Sequence, residues 1–176
     1  DGIKIKENLY IYGVMKKSPE DGMGAIIVCN QNKCRIVDEG IAIPNSFIHL
    51  PNSNEILISD SFKQKVYAFT FNVDYSKVIS KSTWLDMSNM LGTPDGGCLV
   101  GKSIYLAIWG AAKVLELDFF GNIQKEHALP MLNPTDCASK ICDNSLFITS
   151  AYEGMSEEQK IKYPLSGHTV KVGLNA

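Results

Sequence analysis

The chain has 176 residues, of which 45% are hydrophobic and 20% charged, so it can bury a core as one domain or as several small repeats. Its 17 basic and 19 acidic residues give a formal net charge of −2, and no basic run occurs, which argues against a nucleic-acid partner. Its apolar stretches are only strand-length, far short of the roughly 20 residues of a membrane helix. We therefore expect no membrane partner, and no secretory signal is recognised within these 176 residues.

Apolar strands recur along the chain, and each is followed by an amphipathic strand. The predicted apolar strands are Asn8–Gly13, Glu55–Asp60, Ser103–Trp109 and Ser145–Ala151. The amphipathic strands follow at Gly24–Val28, Lys65–Phe71, Lys113–Leu117 and Gly167–Val172, and outer strands at Lys33–Val37, Val78–Leu85 and Ile123–Ala128. A period of roughly 40–50 residues with four strands per unit is typical of a β-propeller blade. The sequence therefore predicts an all-β fold of the β-propeller class.

The predicted blades are residues 1–40, 41–88, 89–130 and 131–176, and the last one lacks its fourth strand. About three and a half four-stranded blades cannot close a ring, and the two end blades would expose apolar faces. We therefore interpret the chain as the C-terminal half of a larger propeller. It is expected to need the missing N-terminal half, or another chain, to complete the ring.

A proline-led turn is predicted before three of the apolar strands. The three tracts are Pro44-Asn45-Ser46, Pro94-Asp95-Gly96 and Pro134-Thr135-Asp136. Turns at equivalent places on neighbouring blades converge on the propeller axis, and amide and carboxylate oxygens suit Ca²⁺, Mg²⁺ or Mn²⁺, with zinc as a further option. Asn45 and Asp95 are thus candidate metal ligands. Ordinary turn chemistry is the alternative explanation, because Asn and Asp after Pro are favoured in turns of any function.

Five cysteines are present, none of them in a C-x-x-C pair, so a thiolate zinc site is not expected. They are Cys29, Cys34, Cys98, Cys137 and Cys142. Cys29 and Cys34 bracket a predicted hairpin loop, and a disulfide between them is the alternative to free thiols. We predict free thiols, a reducing compartment and a cytoplasmic location.

Several other residues could have a functional role, but a structural role also accounts for each of them. Trp109 follows an inner strand and would either line the channel mouth or pack between blades. Asp60 is expected to cap the end of its strand. Ser156 and Gln159 are spaced as a capping box that opens a short helix. The isolated histidines are expected to be surface or packing residues; they are His49, His127 and His168.

Taken together, several segments resemble the senescence-marker-protein/gluconolactonase family of regucalcin-like proteins from Asp1 to about Leu174. The similarity lies in the order and spacing of Ile43–Ser46, Leu50–Ser61, Val66–Asn72, Thr93–Gly97, Ile104–Val114, Leu129–Ser139, Leu146–Gln159 and Pro164–Gly167. Asp1-Gly2 also looks like the Asp-Gly that opens a middle blade in this family. One departure is Ser46, which stands where the family usually has glycine.

The resemblance implies a six-bladed propeller with one divalent metal ion, calcium being favoured, at the top of the central channel. In the family the ion is bound by a first-blade Glu, an Asn from a Pro-Asn turn and an Asp from a Pro-Asp-Gly turn. Asn45 and Asp95 match the last two, and Asp95 would also accept the proton of the attacking water. The Glu, and the family's substrate-contacting Arg and Asn, have no counterpart here. Asp1 and Trp109 remain as candidates for substrate contact.

The function implied is metal-dependent hydrolysis of a sugar lactone, a small-molecule cyclic ester, with this chain carrying part of the site and inactive in isolation. The alternative is a non-catalytic propeller that binds calcium or a protein partner. A strictosidine-synthase-like propeller, which uses a catalytic Glu and no metal, is more distant. No Glu in the sequence stands out for that role.

Overall fold

The computed structural model describes residues 1–31, 33–140 and 144–174, and the chain in these ranges is built almost entirely of β-strands. In chain order the elements are β1 (Gly2–Lys6), β2 (Leu9–Val14), β3 (Gly24–Asn30), β4 (Lys33–Ile41), β5 (Pro44–His49), β6 (Glu55–Asp60), β7 (Lys65–Phe71), β8 (Val78–Asp86), β9 (Thr93–Val100), β10 (Ser103–Trp109), β11 (Lys113–Leu117), β12 (Ile123–Ala128), β13 (Asn133–Lys140), β14 (Ser145–Ala151), α1 (Glu157–Lys162) and β15 (Val170–Gly173). Within these ranges no helix is long and apolar enough to cross a bilayer.

The strands form antiparallel sheets in which neighbours in sequence are neighbours in space, and the chain divides into two compact units. The unit Asp1–Asn89 contains the sheets β1–β4 and β5–β8. The unit Met90–Ala176 contains the sheet β9–β12, the three-stranded sheet β13–β15 and the helix α1. The prediction of an all-β chain with four-stranded repeats and a shorter last one is confirmed.

The core of each unit is made by inward-facing residues of its two sheets. In the first unit the alternating residues of β2 and β3 pack with aromatic residues of β5 and β7, including Phe47, Phe69 and Phe71. In the second unit Val114 and Ile148 belong to a cluster that extends from β10 and β11 to β13 and β14. This alternation follows from the period of two in a β-strand, which is why the central strands were predictable.

The bounds of β6, β7, β10 and β11 are those predicted, whereas the last predicted strand, Gly167–Val172, is displaced. The strand begins instead at Val170, because Gly167 has a φ of +79°, in the left-handed region that an extended strand does not use. The capping box is confirmed: Ser156 Oγ accepts from Gln159 N, and the Gln159 side chain accepts from Ser156 N.

The three proline-led tracts are not turns before the strands, as the sequence suggested, but lie inside β5, β9 and β13. In each case the pairing with the next strand is irregular next to the proline, after Asn45 in β5, after Pro94 in β9 and after Pro134 in β13. A proline lacks the N–H of a regular ladder and is tolerated at the start of a strand or at a bulge. Such bulges redirect the side chains beside them.

The carboxylate of Asp60 links the two sheets of the first unit. Asp60 is fully buried at the end of β6, and its two oxygens accept hydrogen bonds from the backbone N–H groups of Ala42 (3.0 Å), Ile43 (3.2 Å) and Phe62 (3.2 Å). Ala42 and Ile43 form the connection from β4 to β5. The predicted role of Asp60 as a strand-end cap is therefore confirmed.

Cys29 and Cys34 form a disulfide, so the prediction of free thiols is wrong for this pair. The register of β3 and β4 places the two residues directly opposite each other, with a Cα–Cα distance of 4.0 Å. The sequence indicated a hairpin but did not specify its register. Cys98 and Cys137 are free thiols, and Cys142 lies outside the described residues.

Each histidine contacts polar groups of its own surroundings. The contacts are His49 Nε2 with Ser53 O and Tyr75 Oη (both 2.9 Å), His127 Nε2 with Glu116 Oε2 (2.9 Å), and His168 Nδ1 with Ser166 O (3.2 Å). These bonds hold turns and neighbouring strands together. The expected surface or packing role of the histidines stays a prediction, and His127 has an acidic partner, Glu116, that the sequence did not indicate.

Candidate functional site

Asn45 lies at the bulge of β5, where its side chain is oriented by a neighbouring hydroxyl. The amide Nδ2 donates to Ser61 Oγ at 3.0 Å. This bond uses the nitrogen of the amide, whereas a hard cation would be bound by the amide oxygen. The fixed amide is consistent with the predicted role of Asn45 as a ligand, which remains a prediction.

Asp1, a candidate for substrate contact, is engaged with the backbone of the same bulge. Its Oδ2 accepts from Ser46 N at 2.8 Å, and its Oδ1 accepts from Gly2 N at 2.7 Å. Both carboxylate oxygens therefore support the chain next to Asn45. In this arrangement the Asp1 carboxylate stabilises the backbone of the bulge. A contact between Asp1 and the substrate stays a prediction.

The backbone conformation of Ser46 favours glycine, which the family that the sequence resembles usually has at this position. Its φ is +59°, in the left-handed region, and its hydroxyl is buried with no hydrogen-bond partner among the described residues. A non-glycine residue in this conformation costs of order 1 kcal/mol, and an unsatisfied buried hydroxyl costs about 1–3 kcal/mol. Both costs come from the side chain of Ser46.

We therefore expect Ser46→Gly to raise the free energy of unfolding by about 1 kcal/mol, after part of the gain is offset by the greater entropy of glycine in the unfolded chain. Urea-induced unfolding monitored by circular dichroism measures the change. Ser46→Ala is the matched control, because it removes the hydroxyl but keeps the left-handed strain, and it should gain less. A lower unfolding midpoint for Ser46→Gly would contradict this account.

Asp95 lies at the bulge of β9 in the second unit. Pro94 pairs with Ile108 and Gly97 pairs with Leu106, so Asp95 and Gly96 lie together opposite a single residue of β10. The Asp95 side chain is half-buried. Burial raises the pKa of Asp95 to about 7, with a further contribution from the negative charge of Asp136, while a hydrogen bond from the Gly96 backbone acts in the opposite direction.

Asp136, on the neighbouring strand β13, presents a second carboxylate to this bulge. Its Oδ1 accepts from Cys137 N at 2.7 Å. A Cβ atom added at Gly96 would collide with this carboxylate and would lie 2.7 Å from the Thr135 carbonyl oxygen. The absence of a side chain at Gly96 therefore lets the Asp136 carboxylate lie against the residue that follows Asp95.

Asp136 was noted in the third proline-led tract of the sequence but was not among the candidate site residues. It stands two residues after Pro134, whereas Asn45 and Asp95 each follow their proline directly. The bulge of β13 involves Thr135, and it is the packing of β13 beside β9 that brings Asp136 to Gly96. The signal that was available in the sequence is the third proline-led tract with an acidic residue.

Two thiols near these carboxylates are not suited to nucleophilic chemistry at neutral pH. Burial raises the pKa of Cys98 to about 12, with a contribution from the charge of Asp136. Burial also raises the pKa of Cys137 well above its usual value. The thiolate is the form of cysteine that reacts and binds metals, and at neutral pH both cysteines stay protonated. The carboxylate oxygens are therefore the reactive groups of this region.

The donor chemistry fits a hard divalent cation. Two carboxylates, those of Asp95 and Asp136, come close together in the second unit. Oxygen donors of this kind suit Ca²⁺, Mg²⁺ or Mn²⁺. Among the described residues no group of three or more His, Cys, Asp or Glu side chains is arranged to hold a metal ion. A cation here would therefore depend on amide and water oxygens as well.

A cavity of about 490 Å³ lies in the second unit beside the end of β10. Trp109, half-buried at this end, pairs with Thr93, two residues before Asp95. The cavity is lined by Leu91, Gly110, Ala111, Leu132 and residues of α1 and its ends, namely Ser156, Glu158, Gln159, Lys162 and Tyr163. Trp109 thus lies between the strand that carries Asp95 and the loop that borders the cavity.

Comparison with known proteins connects these features to a family. Residues 1–152 match the family model described as the SMP-30/Gluconolactonase/LRE-like region. Regucalcin of Danio rerio is 34% identical over 117 residues, which cover 64% of this chain and 39% of that protein, and regucalcin of Xenopus laevis is 28% identical over 116 residues. The chain thus spans about two fifths of the length of these curated relatives.

Solved structures show the same fold. A structure described as the calcium-binding protein regucalcin from Agrobacterium tumefaciens superposes with a TM-score of 0.89 at 23% identity, covering 98% of this chain and 60% of that one. A gluconolactonase from Xanthomonas campestris gives a TM-score of 0.70 at 16% identity, covering 85% of this chain and 52% of that one. The prediction of the β-propeller fold class is confirmed by these similarities.

Proposed function

Because the chain belongs to the SMP-30/gluconolactonase/LRE-like family, we propose that it forms part of a metal-dependent lactonase that hydrolyses a sugar lactone. In this proposal Asn45 and Asp95 bind one divalent cation, with calcium favoured over zinc, magnesium and manganese, and Asp95 is the catalytic base. The observation that carries it is the half-buried Asp95 carboxylate at a bulge of β9, whose pKa lies at about 7.

The chemistry required is that of ester hydrolysis. Water adds to the lactone carbonyl carbon, the ring C–O bond breaks, and the ring oxygen takes up a proton. A bound divalent cation would polarise the carbonyl and lower the pKa of the water. Asp95, with a pKa near neutrality, is suited to accept the proton of that water and to return it to the leaving oxygen.

The remaining residues would serve binding and orientation. The hydrogen bond from Asn45 to Ser61 holds the amide so that its oxygen keeps one direction, and the bonds from Gly2 and Ser46 to Asp1 support the same bulge. Trp109 is a candidate wall for the substrate, since it ends the strand paired with the beginning of β9. The cavity beside it, with apolar and polar walls, would accommodate substituents of the lactone.

The activity is assigned to the complete protein that carries this chain. The 176-residue chain alone is expected to be inactive, because the family's cation-binding Glu and substrate-binding Arg and Asn have no counterpart in it. The missing half, or another chain, would supply them. A cytoplasmic location also remains a prediction, and the Cys29–Cys34 disulfide is the observation that weighs against a reducing compartment.

The test is hydrolysis of a panel of sugar lactones by the complete protein, followed by pH-stat titration of the acid released. Turnover should be lost after treatment with a chelator and restored by Ca²⁺, Zn²⁺, Mg²⁺ or Mn²⁺, each added separately. Turnover that survives complete removal of divalent cations would contradict the metal-dependent proposal. The isolated chain serves as the matched inactive control.

The second candidate is a propeller that binds calcium or a protein partner without catalysis. It is favoured by one comparison, the structural similarity to a regucalcin described as a calcium-binding protein. Calorimetric binding of Ca²⁺ by the complete protein, with no hydrolysis across the lactone panel, would support this alternative over the enzyme.

A further inference from the structure

The Cys29–Cys34 disulfide of the first unit joins β3 to β4, the last strand of its sheet. Cys29 is half-buried, whereas Cys34 is exposed. A cavity of about 170 Å³ lies beside the disulfide and is lined by both cysteines together with Asn8 and Tyr10. A small molecule can therefore reach the sulfur of Cys34 from this cavity.

The hairpin that carries the disulfide is also held by the ladder between β3 and β4. Residue pairs on both sides of the disulfide keep the register, namely Val28 with Arg35 and Asn30 with Lys33. The two cysteines are five positions apart, and a cross-link that closes a short loop restricts the unfolded chain less than one that closes a long loop. The sheet therefore does not depend on the disulfide to bring its strands together.

The two sulfur atoms of the disulfide have different surroundings. Tyr12 Oη lies 3.4 Å from Cys29 Sγ, and because a disulfide sulfur carries no proton, the tyrosine hydroxyl is the donor. A hydrogen bond of this kind becomes stronger when its acceptor gains negative charge. When a thiolate opens a disulfide, the sulfur that is not attacked leaves as a thiolate, and a more stable thiolate leaves faster. Cys29 is thus the better leaving group, and Cys34 is the sulfur that is attacked.

Positive charges near Cys34 favour an anionic reactant. Lys33 and Arg35 flank Cys34 in β4, and both are exposed. Lys4 Nζ lies 6.0 Å from the centroid of the Tyr10 ring, which lines the cavity. Because basic side chains raise the local concentration of anions, a small thiol that carries carboxylates is the reactant that suits this place.

We propose that Cys34 is a site of reversible modification by a small-molecule thiol that carries carboxylate groups. The thiolate of this molecule attacks Cys34 Sγ and forms a new S–S bond, while the bond to Cys29 breaks and its electron pair goes to Cys29 Sγ. A second thiolate then attacks the sulfur of the bound molecule and releases Cys34 as a thiolate. Both cysteine thiolates take up protons from water. Two small thiols are oxidised to their disulfide, and the protein disulfide is reduced.

Reduced glutathione, a small thiol with two carboxylates, is the probe for the complete protein at neutral pH. Alkylation of free thiols at intervals, followed by peptide mass spectrometry, measures opening at each cysteine. Cys29 and Cys34 should become reactive together while the circular dichroism spectrum stays unchanged. Cys98 and Cys137, whose pKa values are raised by burial, are followed separately as slow thiols. A disulfide that stays closed, or a fold that is lost when it opens, would overturn the proposal.

Tyr12→Phe tests which sulfur leaves. The rate of opening should fall about fivefold, because a hydrogen bond to a charged group contributes more than one to a neutral group. Tyr10→Phe removes a hydroxyl from the same strand and is the matched control, with an expected change of less than twofold. A rate for Tyr12→Phe equal to that of the wild type contradicts the assignment of Cys34 as the modified cysteine.

Two single-cysteine variants compare the modification of the two sulfurs directly. In Cys29→Ser the thiolate of Cys34 attacks glutathione disulfide, which gives a stable mixed disulfide and one free glutathione. This modification should be faster than that of Cys29 in the matched variant Cys34→Ser, and the reverse order would overturn the site.

The salt dependence of the rate in Cys29→Ser tests the preference for carboxylates. Salt screens both attraction and repulsion, so added salt should slow modification by glutathione disulfide and accelerate modification by cystamine, a disulfide that carries amines. The same salt dependence for both reagents would refute the preference for an anionic thiol.

Discussion

Asp95→Ala is expected to lower lactone hydrolysis by the complete protein about a thousandfold or more. A general base contributes about 10²–10⁴-fold, and the same carboxylate is a proposed cation ligand, so both contributions are lost together. The measurement is kcat/KM for the best lactone, with Ca²⁺ binding followed by calorimetry in parallel. Unchanged turnover in a folded Asp95→Ala variant would remove Asp95 from the mechanism. Glu157→Gln, at an exposed residue of α1 that is not among those lining the cavity, is the control and should retain full activity.

The isosteric variant Asp95→Asn is expected to change how the free energy of unfolding depends on pH, measured by urea-induced unfolding in the presence of a chelator. The pKa of Asp95 is raised from 3.8 to about 7, first by burial and then by the charge of Asp136. Folded Asp95 therefore keeps its proton at a pH where the unfolded chain has lost it. The resulting stability is fully present below pH 3.8 and is lost as the pH rises through about 7. In Asp95→Asn this fall in the free energy of unfolding should be absent.

Asp60→Ala is expected to lower the free energy of unfolding by about 3–5 kcal/mol. The carboxylate is fully buried and accepts from three backbone N–H groups, those of Ala42, Ile43 and Phe62. A buried donor left without an acceptor costs about 1–3 kcal/mol, and alanine would leave the buried N–H of Ala42 and the part-buried N–H groups of Ile43 and Phe62 without one. Urea-induced unfolding of the protein measures the loss.

Asp60→Asn is the matched control for this prediction. Asparagine keeps the volume and one acceptor oxygen but places an NH₂ group where the second oxygen stood, so it should destabilise the protein less than alanine does. If Asp60→Ala unfolds within about 1 kcal/mol of the wild type, the three hydrogen bonds contribute little to stability, and the connection from β4 to β5 must be held by other contacts.

The sequence by itself determined the all-β class, most strand bounds and the family. Alternation of apolar residues reports which face of a strand is buried, because successive side chains point to opposite sides, and β6, β7, β10 and β11 were predicted for this reason. The repeated spacing of these strands indicated propeller blades. Asn45 and Asp95 were selected through their prolines and the resemblance, and their joint binding of one cation stays a prediction.

Only the tertiary structure decided what lies next to each of these residues. The proline-led tracts are bulges within strands, Cys29 lies opposite Cys34, and Asp136 lies over Gly96. The physical reason is that a local pattern defines the direction of a side chain, whereas its neighbours depend on register and on packing between strands far apart in the chain. Asp136 and Gly96 belong to different sheets, and no periodicity within either strand specifies that they meet.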